Sequence, residues 1–244
     1  MVKKFWHLGN YKYVFYRFLV ERLYIKYSFS KPNICILDAG CGPNVSSLPL
    51  IPEESYFVGV DISSKNILQS KRKAKNKNHT NLHYIQASVT DLPLRDEIVD
   101  MIICTDLLEH IKDKNKVIHE FARVCKKGGK LLGSTSNLLN PVMMLDCFMP
   151  KKMMRTLTCK LAGKHYERHL RLTSFKLTKV LHMAGFLHCG IKLLGFPPFQ
   201  PWIYEFSNIK PPWFTRIWVA FDKMTNKKPL NLFKETIVFL AEKQ

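Results

Sequence analysis

The residues best placed to do chemistry lie early in the chain, at Asp38-Ala39-Gly40-Cys41-Gly42. An apolar run, residues 34 to 39, leads straight into the two glycines. Glycines at such a turn let the backbone pass close beneath a ligand, and the turn's amides and the next helix N-terminus can face an anionic group. A second apolar run, residues 56 to 61, ends at Asp61. A carboxylate there holds the hydroxyls of a ribose. Together these features predict a ligand that contains adenosine.

Two details choose among adenosine cofactors. A dinucleotide turn wants a third glycine or alanine where this chain has Val45, and it has no use for an acid before the first glycine, where this chain has Asp38. A carboxylate would repel a pyrophosphate. It would attract the amino group and sulfonium of S-adenosylmethionine. Charge therefore favours S-adenosylmethionine as cofactor, with a non-binding turn of the same shape as the plain alternative.

From Ile36 to Asn137 the chain resembles the class I S-adenosylmethionine-dependent methyltransferases of the quinone-biosynthesis and small-molecule type. The resemblance rests on Asp38-x-Gly40-x-Gly42, Val58-Gly59-Val60-Asp61-Ile62-Ser63 and Asp91-Leu92-Pro93-Leu94 followed by Val99-Asp100. Leu108-Glu109-His110-Ile111 and Gly128-Gly129-Lys130 complete it. It implies cofactor contacts from Asp38, Gly40, Cys41, Gly42, Asp61, Ile62, Ser88, Val89 and Thr105. One position departs from the family's pattern: Ser88 stands where a carboxylate often takes the adenine amino proton. A hydroxyl accepts that bond more weakly than an ionised group. The Val89 backbone and packing against Ile62 are then expected to help hold the ring.

Methyl transfer from a sulfonium needs alignment and exclusion of water, and a base only where the acceptor carries a proton. His110 and His169 are the candidate bases. Asp106, His165, Tyr166 and Arg171 are the candidate substrate contacts. The plain reading of these residues is capping, packing and bracing. No metal site is expected, because the seven cysteines are scattered and form no C-x-x-C pair.

These residues need a scaffold that brings strand ends together. Strand patterns at 34–39, 56–61, 82–87, 98–104, from Lys130, 187–194 and 236–241 alternate with helix patterns. One helix is expected from Ser63 or Ser64 to about Lys75. A second should carry Ile111, Ile118, Phe121, Ala122 and Cys125 on one face and close at Lys126-Lys127-Gly128-Gly129. A third runs from Thr173 or Ser174 to Ala184, closed by Gly185. Near-continuous apolar strands between helices mean a sheet covered on both faces. The expected fold is a doubly wound α/β, mostly parallel, seven-stranded Rossmann-like methyltransferase sheet. Residues 1–31 read as an amphipathic helical lid, and 32–244 as the methyltransferase domain with insertions at 137–172 and 195–233.

Composition narrows the partners. The chain has 244 residues and 38 Lys and Arg against 19 Asp and Glu, a net charge of +19. That surplus suits anionic partners, or reflects a lysine-rich lineage. No apolar run suits a membrane span or a signal-peptide core, so a cytoplasmic location is the default. Met143, Met144, Leu145, Phe148, Met149, Met153 and Met154 crowd beside Lys151, Lys152 and Arg155. Trp213, Phe214, Ile217, Trp218 and Phe221 share one helical face, and five prolines surround Trp202 and Tyr204. Such segments either bury their own aromatics as a lid or rest on an acidic membrane surface. A small apolar or lipid-linked acceptor, methylated at oxygen or carbon, is the leading expectation. RNA or other nucleic acid is the second reading, motivated by charge but lacking the motifs expected after the fourth and fifth strands. A non-catalytic binding module is the third.

Overall fold

The computed structural model describes residues 33–43, 53–75, 81–141, 144, 148–150, 170–194, 229–233 and 236–244. Its strands are β1 (Cys35–Ala39), β2 (Tyr56–Asp61), β3 (Leu82–Gln86), β4 (Val99–Thr105), β5 (Cys125–Ser136), β6 (Phe186–Leu194) and β7 (Thr236–Lys243). They form one seven-stranded sheet in the order β3-β2-β1-β4-β5-β7-β6. β1 to β5 pair in parallel, and β7 runs antiparallel to both β5 and β6. The expected mostly parallel, doubly wound sheet is thus the observed one. From β1 the chain builds outward to β2 and β3, then reverses to β4 and β5. A crevice opens at the carboxyl ends of the strands where that order reverses.

Among the described residues, three helices cover the faces: α1 (Ser64–Ala74), α2 (Lys114–Val124) and α3 (Ser174–Met183). Each starts where a side chain accepts a bond from an otherwise unpaired first-turn amide. Ser63 accepts from the Asn66 amide, Asp113 from Lys116 and Thr173 from Lys176. Successive strand residues point to opposite faces. Ile36, Phe57, Met101 and Ile103 pack with Ile67 and Ala74 of α1. Leu37, Ile102, Leu131 and Phe239 pack with Ile118 and Phe121 of α2 and with Leu177 and Leu181 of α3. Both faces are therefore dry. That is why the strands read as unbroken apolar runs rather than as alternating ones.

The second helix departs from expectation at both ends. Ile111 precedes it, as the cap of a 3-10 turn at Leu108–His110. Cys125 follows it, already extended and paired with Val99 of β4. The helix stops at Val124, and Lys126-Lys127-Gly128-Gly129 lies within β5 rather than in a last turn and cap. The register explains the glycines: β5 pairs Cys125 with Val99 but Lys130 with Met101, so the intervening residues bulge. Gly128 takes φ +72° there, and a Cβ on Gly129 would lie 2.7 Å from the Lys126 carbonyl oxygen. Lys126 is drawn to the strand by Asp100, 2.8 Å away. The cation of the last turn is instead Arg123, which binds Glu120, Asp96 and the carbonyls of Leu92 and Leu94. The expected lid at 1–31 and most of both insertions lie outside the described residues.

Candidate functional site

β1 delivers the chain into the glycine turn at the crevice. Gly40 and Gly42 have φ +72° and +59°, in the left-handed region that favours glycine. Gly40 is doubly constrained, because a Cβ there would lie 2.8 Å from Cδ1 of Leu107. A Cβ on Gly42 would point into open space. The amides do not face a ligand, contrary to the sequence expectation. Those of Gly40 and Cys41 donate to the Val60 carbonyl at 2.8 and 3.0 Å, and that of Gly42 donates to Oδ2 of Asp61 at 3.0 Å. They were spent on fixing β1 to β2. What the turn offers a ligand is space and carboxylates rather than an anion-binding nest.

Asp61 is the organiser of that turn. Its Oδ1 accepts from the Ser63 amide at 2.8 Å and from Nδ2 of Asn66 at 3.1 Å. A carboxylate has about four acceptor sites. With Gly42 on Oδ2, that oxygen has room for one more donor, as a ribose hydroxyl would supply. Ile62, next along, is 74% exposed and offers an apolar platform at the mouth.

The crevice is acidic. Asp38 is 4% exposed at the end of β1. Burial, then Asp38 and Asp61, push the Cys41 thiol far above its ordinary range. Burial, then Glu109, Asp38 and Asp106, do the same to the Cys104 thiol. Four carboxylates thus bear on the ends of β1, β2 and β4. Both thiols stay protonated, so neither offers a competing nucleophile.

The end of β4 is tied to β5 by hydroxyls. Asp106 sits at φ +49°; its Oδ1 accepts from Oγ of Ser134 at 3.0 Å, and its amide donates to the Ser134 carbonyl at 3.0 Å. Glu109 is 4% exposed and accepts from Oγ1 of Thr135 at 2.8 Å and from Oγ of Ser136 at 3.1 Å. Its carbonyl receives the Leu170 amide at 2.8 Å. Burial raises the Glu109 carboxyl above its ordinary value, Asp106 adds to the rise, and the Thr135 bond and His110 offset part of it. Sequence reasoning quoted Glu109 within a motif but gave it no role. The run Ser134-Thr135-Ser136 was the available signal: three consecutive hydroxyls on a buried strand need partners.

Residues 37–133 match the family described as "Methyltransferase domain". A ubiquinone biosynthesis O-methyltransferase of Pelagibacter ubique (strain HTCC1062) is 33% identical over 139 residues, 55% of this chain and 57% of the relative. One of Coxiella burnetii (strain RSA 493 / Nine Mile phase I) is 32% identical over 118 residues, 48% and 50% of the two chains. The chain therefore spans about half the length of the curated relatives it matches. Among solved structures, a geranyl diphosphate C-methyltransferase from Streptomyces coelicolor A3(2) shares the fold with TM-score 0.66 at 15% identity, over 97% of this chain and 80% of that one. A protein from Pyrococcus horikoshii OT3 does so with TM-score 0.65 at 17% identity, over 100% and 97%. Residues 37–133 thus carry a methyltransferase domain.

In this methyltransferase domain Asp38, Gly40, Cys41, Gly42, Asp61, Ile62, Thr105 and Asp106 lie at the carboxyl ends of β1, β2 and β4. Ser88 and Val89 follow β3. The Ser88 hydroxyl is engaged locally, 2.8 Å from Oγ1 of Thr90 and accepting from the Thr90 amide at 3.2 Å. Val89 is buried. His110 is exposed on the 3-10 turn, with its amide bonded to the Leu107 carbonyl. Arg171 lines a cleft ahead of α3. His165, Tyr166 and His169 lie outside the described residues. No group of three or more His, Cys, Asp or Glu residues suited to a metal ion occurs among the described residues.

Proposed function

We propose that this chain transfers a methyl group from S-adenosylmethionine to an apolar or lipid-linked acceptor, at oxygen or carbon. The observation that carries the cofactor reading is the acidic crevice at the reversal of strand order, in a chain of net charge +19. A buried cluster of carboxylates selects a cation, and the spent amides of the glycine turn offer nothing to a pyrophosphate. The residues present fit the cofactor. Asp61 would take a ribose hydroxyl, Asp38 would draw the cationic amino-acid end, Ile62 would support the adenine, and the Ser88–Val89 segment would help hold that ring. When bound, the cofactor supplies a methyl group already activated by its sulfonium.

The protein's own task is then to orient the acceptor and exclude water. The tie of Asp106 and Glu109 to β5 fixes the β4 end where the acceptor must approach. A base is needed only for a protonated acceptor, and His110 or His169 would serve. An apolar acceptor is supported by the relatives, which are O-methyltransferases of ubiquinone biosynthesis, and by the Streptomyces fold neighbour, whose complex holds geranyl diphosphate. Exposed Met144 and Phe148 at the start of the first insertion agree with it. Contact of the basic, aromatic attachments with an acidic membrane surface would bring such an acceptor within reach; no helix among the described residues is long and apolar enough to cross a membrane. Part of the positive charge has a local role: Lys71, Arg72 and Lys73 form the exposed last turn of α1, where cations complement the helix dipole.

Calorimetry with S-adenosylhomocysteine is the first test, followed by transfer of a labelled methyl group into acceptors extractable by organic solvent. Saturable binding and extractable label are expected. No binding would favour the non-catalytic module, and label confined to RNA would overturn the apolar acceptor.

A further inference from the structure

Apart from the acidic crevice, the N-terminal ends of α2 and α3 converge on a cleft of about 500 Å³. Its floor is apolar, from Leu138, Leu172 and Val180. Its polar lining is dominated by Lys112, Lys114, Arg171 and Lys176. Helix N-termini carry positive partial charge, so acids are favoured in the first turn and cations are not. Neither α2 nor α3 has an acid in its first turn. Lys114 begins α2, and Lys176 sits in the first turn of α3. Positive side chains are thus stacked on two positive helix ends.

Among the described residues, the two carboxylates nearest the cleft are also engaged elsewhere. Asp113 spends Oδ1 on the Lys116 amide at 3.0 Å as the cap of α2. Glu109 is buried behind the cleft and engaged with Thr135 and Ser136. Lys114 is 9% exposed, and its Nζ donates one of three protons to the Ile111 carbonyl at 2.6 Å. Burial lowers its pKa, Glu109 offsets that, and Lys176 adds to the lowering. Among the described residues, neither Lys112 nor Lys176 is in an ion pair. Lys112, Lys114 and Lys176 stand around two positive helix ends with Asp113 as the one acid in the cleft lining, a surplus of positive charge that an anion would complete.

We infer that this cleft, whose lining shares no residue with the glycine turn, binds a phosphoryl group. A phosphate carries more charge and more acceptor oxygens than a carboxylate. Several separated ammonium groups, a guanidinium and two helix ends suit it better. The apolar floor leaves room for a hydrocarbon portion beside it. The inference does not depend on methyl transfer. Two sources share this chemistry, a soluble phosphorylated ligand and a lipid headgroup.

The test is calorimetry of the full chain with inorganic pyrophosphate at low salt, beside Lys176→Glu. Lys176 is exposed and unpaired in the described structure, so its reversal spares the fold, and unchanged binding of S-adenosylhomocysteine checks that. Saturable binding is expected, weakened on the order of tenfold or more in the variant. No saturable binding, or equal affinity in Lys176→Glu, overturns the inference. Phosphatidylcholine vesicles doped with phosphatidic acid then separate the sources. Vesicle binding that pyrophosphate displaces and Lys176→Glu abolishes supports a headgroup, and pyrophosphate binding without it supports a soluble ligand. Failure to bind S-adenosylhomocysteine with pyrophosphate still bound would fault the cofactor reading alone.

Discussion

Asp61 joins the turn, the α1 cap and the proposed ribose contact in one carboxylate. It holds the amides of Gly42 and Ser63 and the side chain of Asn66. Hydrogen bonds to a charged group contribute about 1.5–3 kcal/mol each. Asp61→Ala should therefore weaken S-adenosylhomocysteine binding on the order of a hundredfold and lower the melting temperature as well. Asp61→Asn keeps the shape but turns one acceptor into a donor, so the fold should survive better than the affinity; calorimetry beside thermal melts reads both. Glu109 makes a different prediction. Its folded pKa lies above the ordinary value, chiefly because burial disfavours the charge. The native state thus holds the proton more tightly than the unfolded chain does. The stability this gives is full below the ordinary carboxylate pKa, about 4.3. It is lost as pH rises through the folded value. Glu109→Gln has no such loss. Urea unfolding from pH 4 to pH 8 should show the variant gaining on the parent as pH rises, and a pH-independent difference would refute the assignment.

At the scale of elements, the sheet is held by close approaches that only glycine permits. A Cβ on Gly133 of β5 would lie 2.5 Å from the Cys104 carbonyl oxygen and would strike the Phe239 ring of β7. Gly133→Ala should cost about 1–3 kcal/mol, read as a lowered urea midpoint. Gly40→Ala meets Leu107 and a left-handed backbone together, at a turn rather than in the sheet. It should abolish cofactor binding at a smaller loss of global stability. Much of this architecture was legible in the sequence because it is local. Apolar runs located β1, β2 and β4, Ser63 and Thr173 announced helix caps, and Asp61 followed from its distance to the glycines. The end of α2 was not legible. Lys126-Lys127-Gly128-Gly129 has the composition of a helix terminus, but pairing of Cys125 with Val99 draws it into a strand. Such pairing depends on residues distant in sequence, which periodicity does not register. The ties from Ser134, Thr135 and Ser136 to Asp106 and Glu109 were hidden for the same reason.

At the scale of the molecule, a basic chain of +19 carries an acidic crevice at the strand ends and a cationic cleft at the starts of α2 and α3. The two kinds of electrostatics should respond differently to salt. Asp38 and Asp61 are buried, so a cation drawn to them is screened little by mobile ions. Surface lysines facing a membrane act across water, where the screening length falls from about 30 Å at 0.01 M to about 8 Å at 0.15 M. If the surplus charge serves a membrane, flotation with acidic vesicles should be strong at low salt and fall steeply toward 0.15 M. Over the same range the affinity for S-adenosylhomocysteine should change by less than about threefold, since a buried contact of this kind is largely shielded from salt. Binding that survives salt would point to apolar insertion of the aromatic attachments instead. No flotation even at low salt would remove the membrane from the proposal and leave a small apolar acceptor reached from solution.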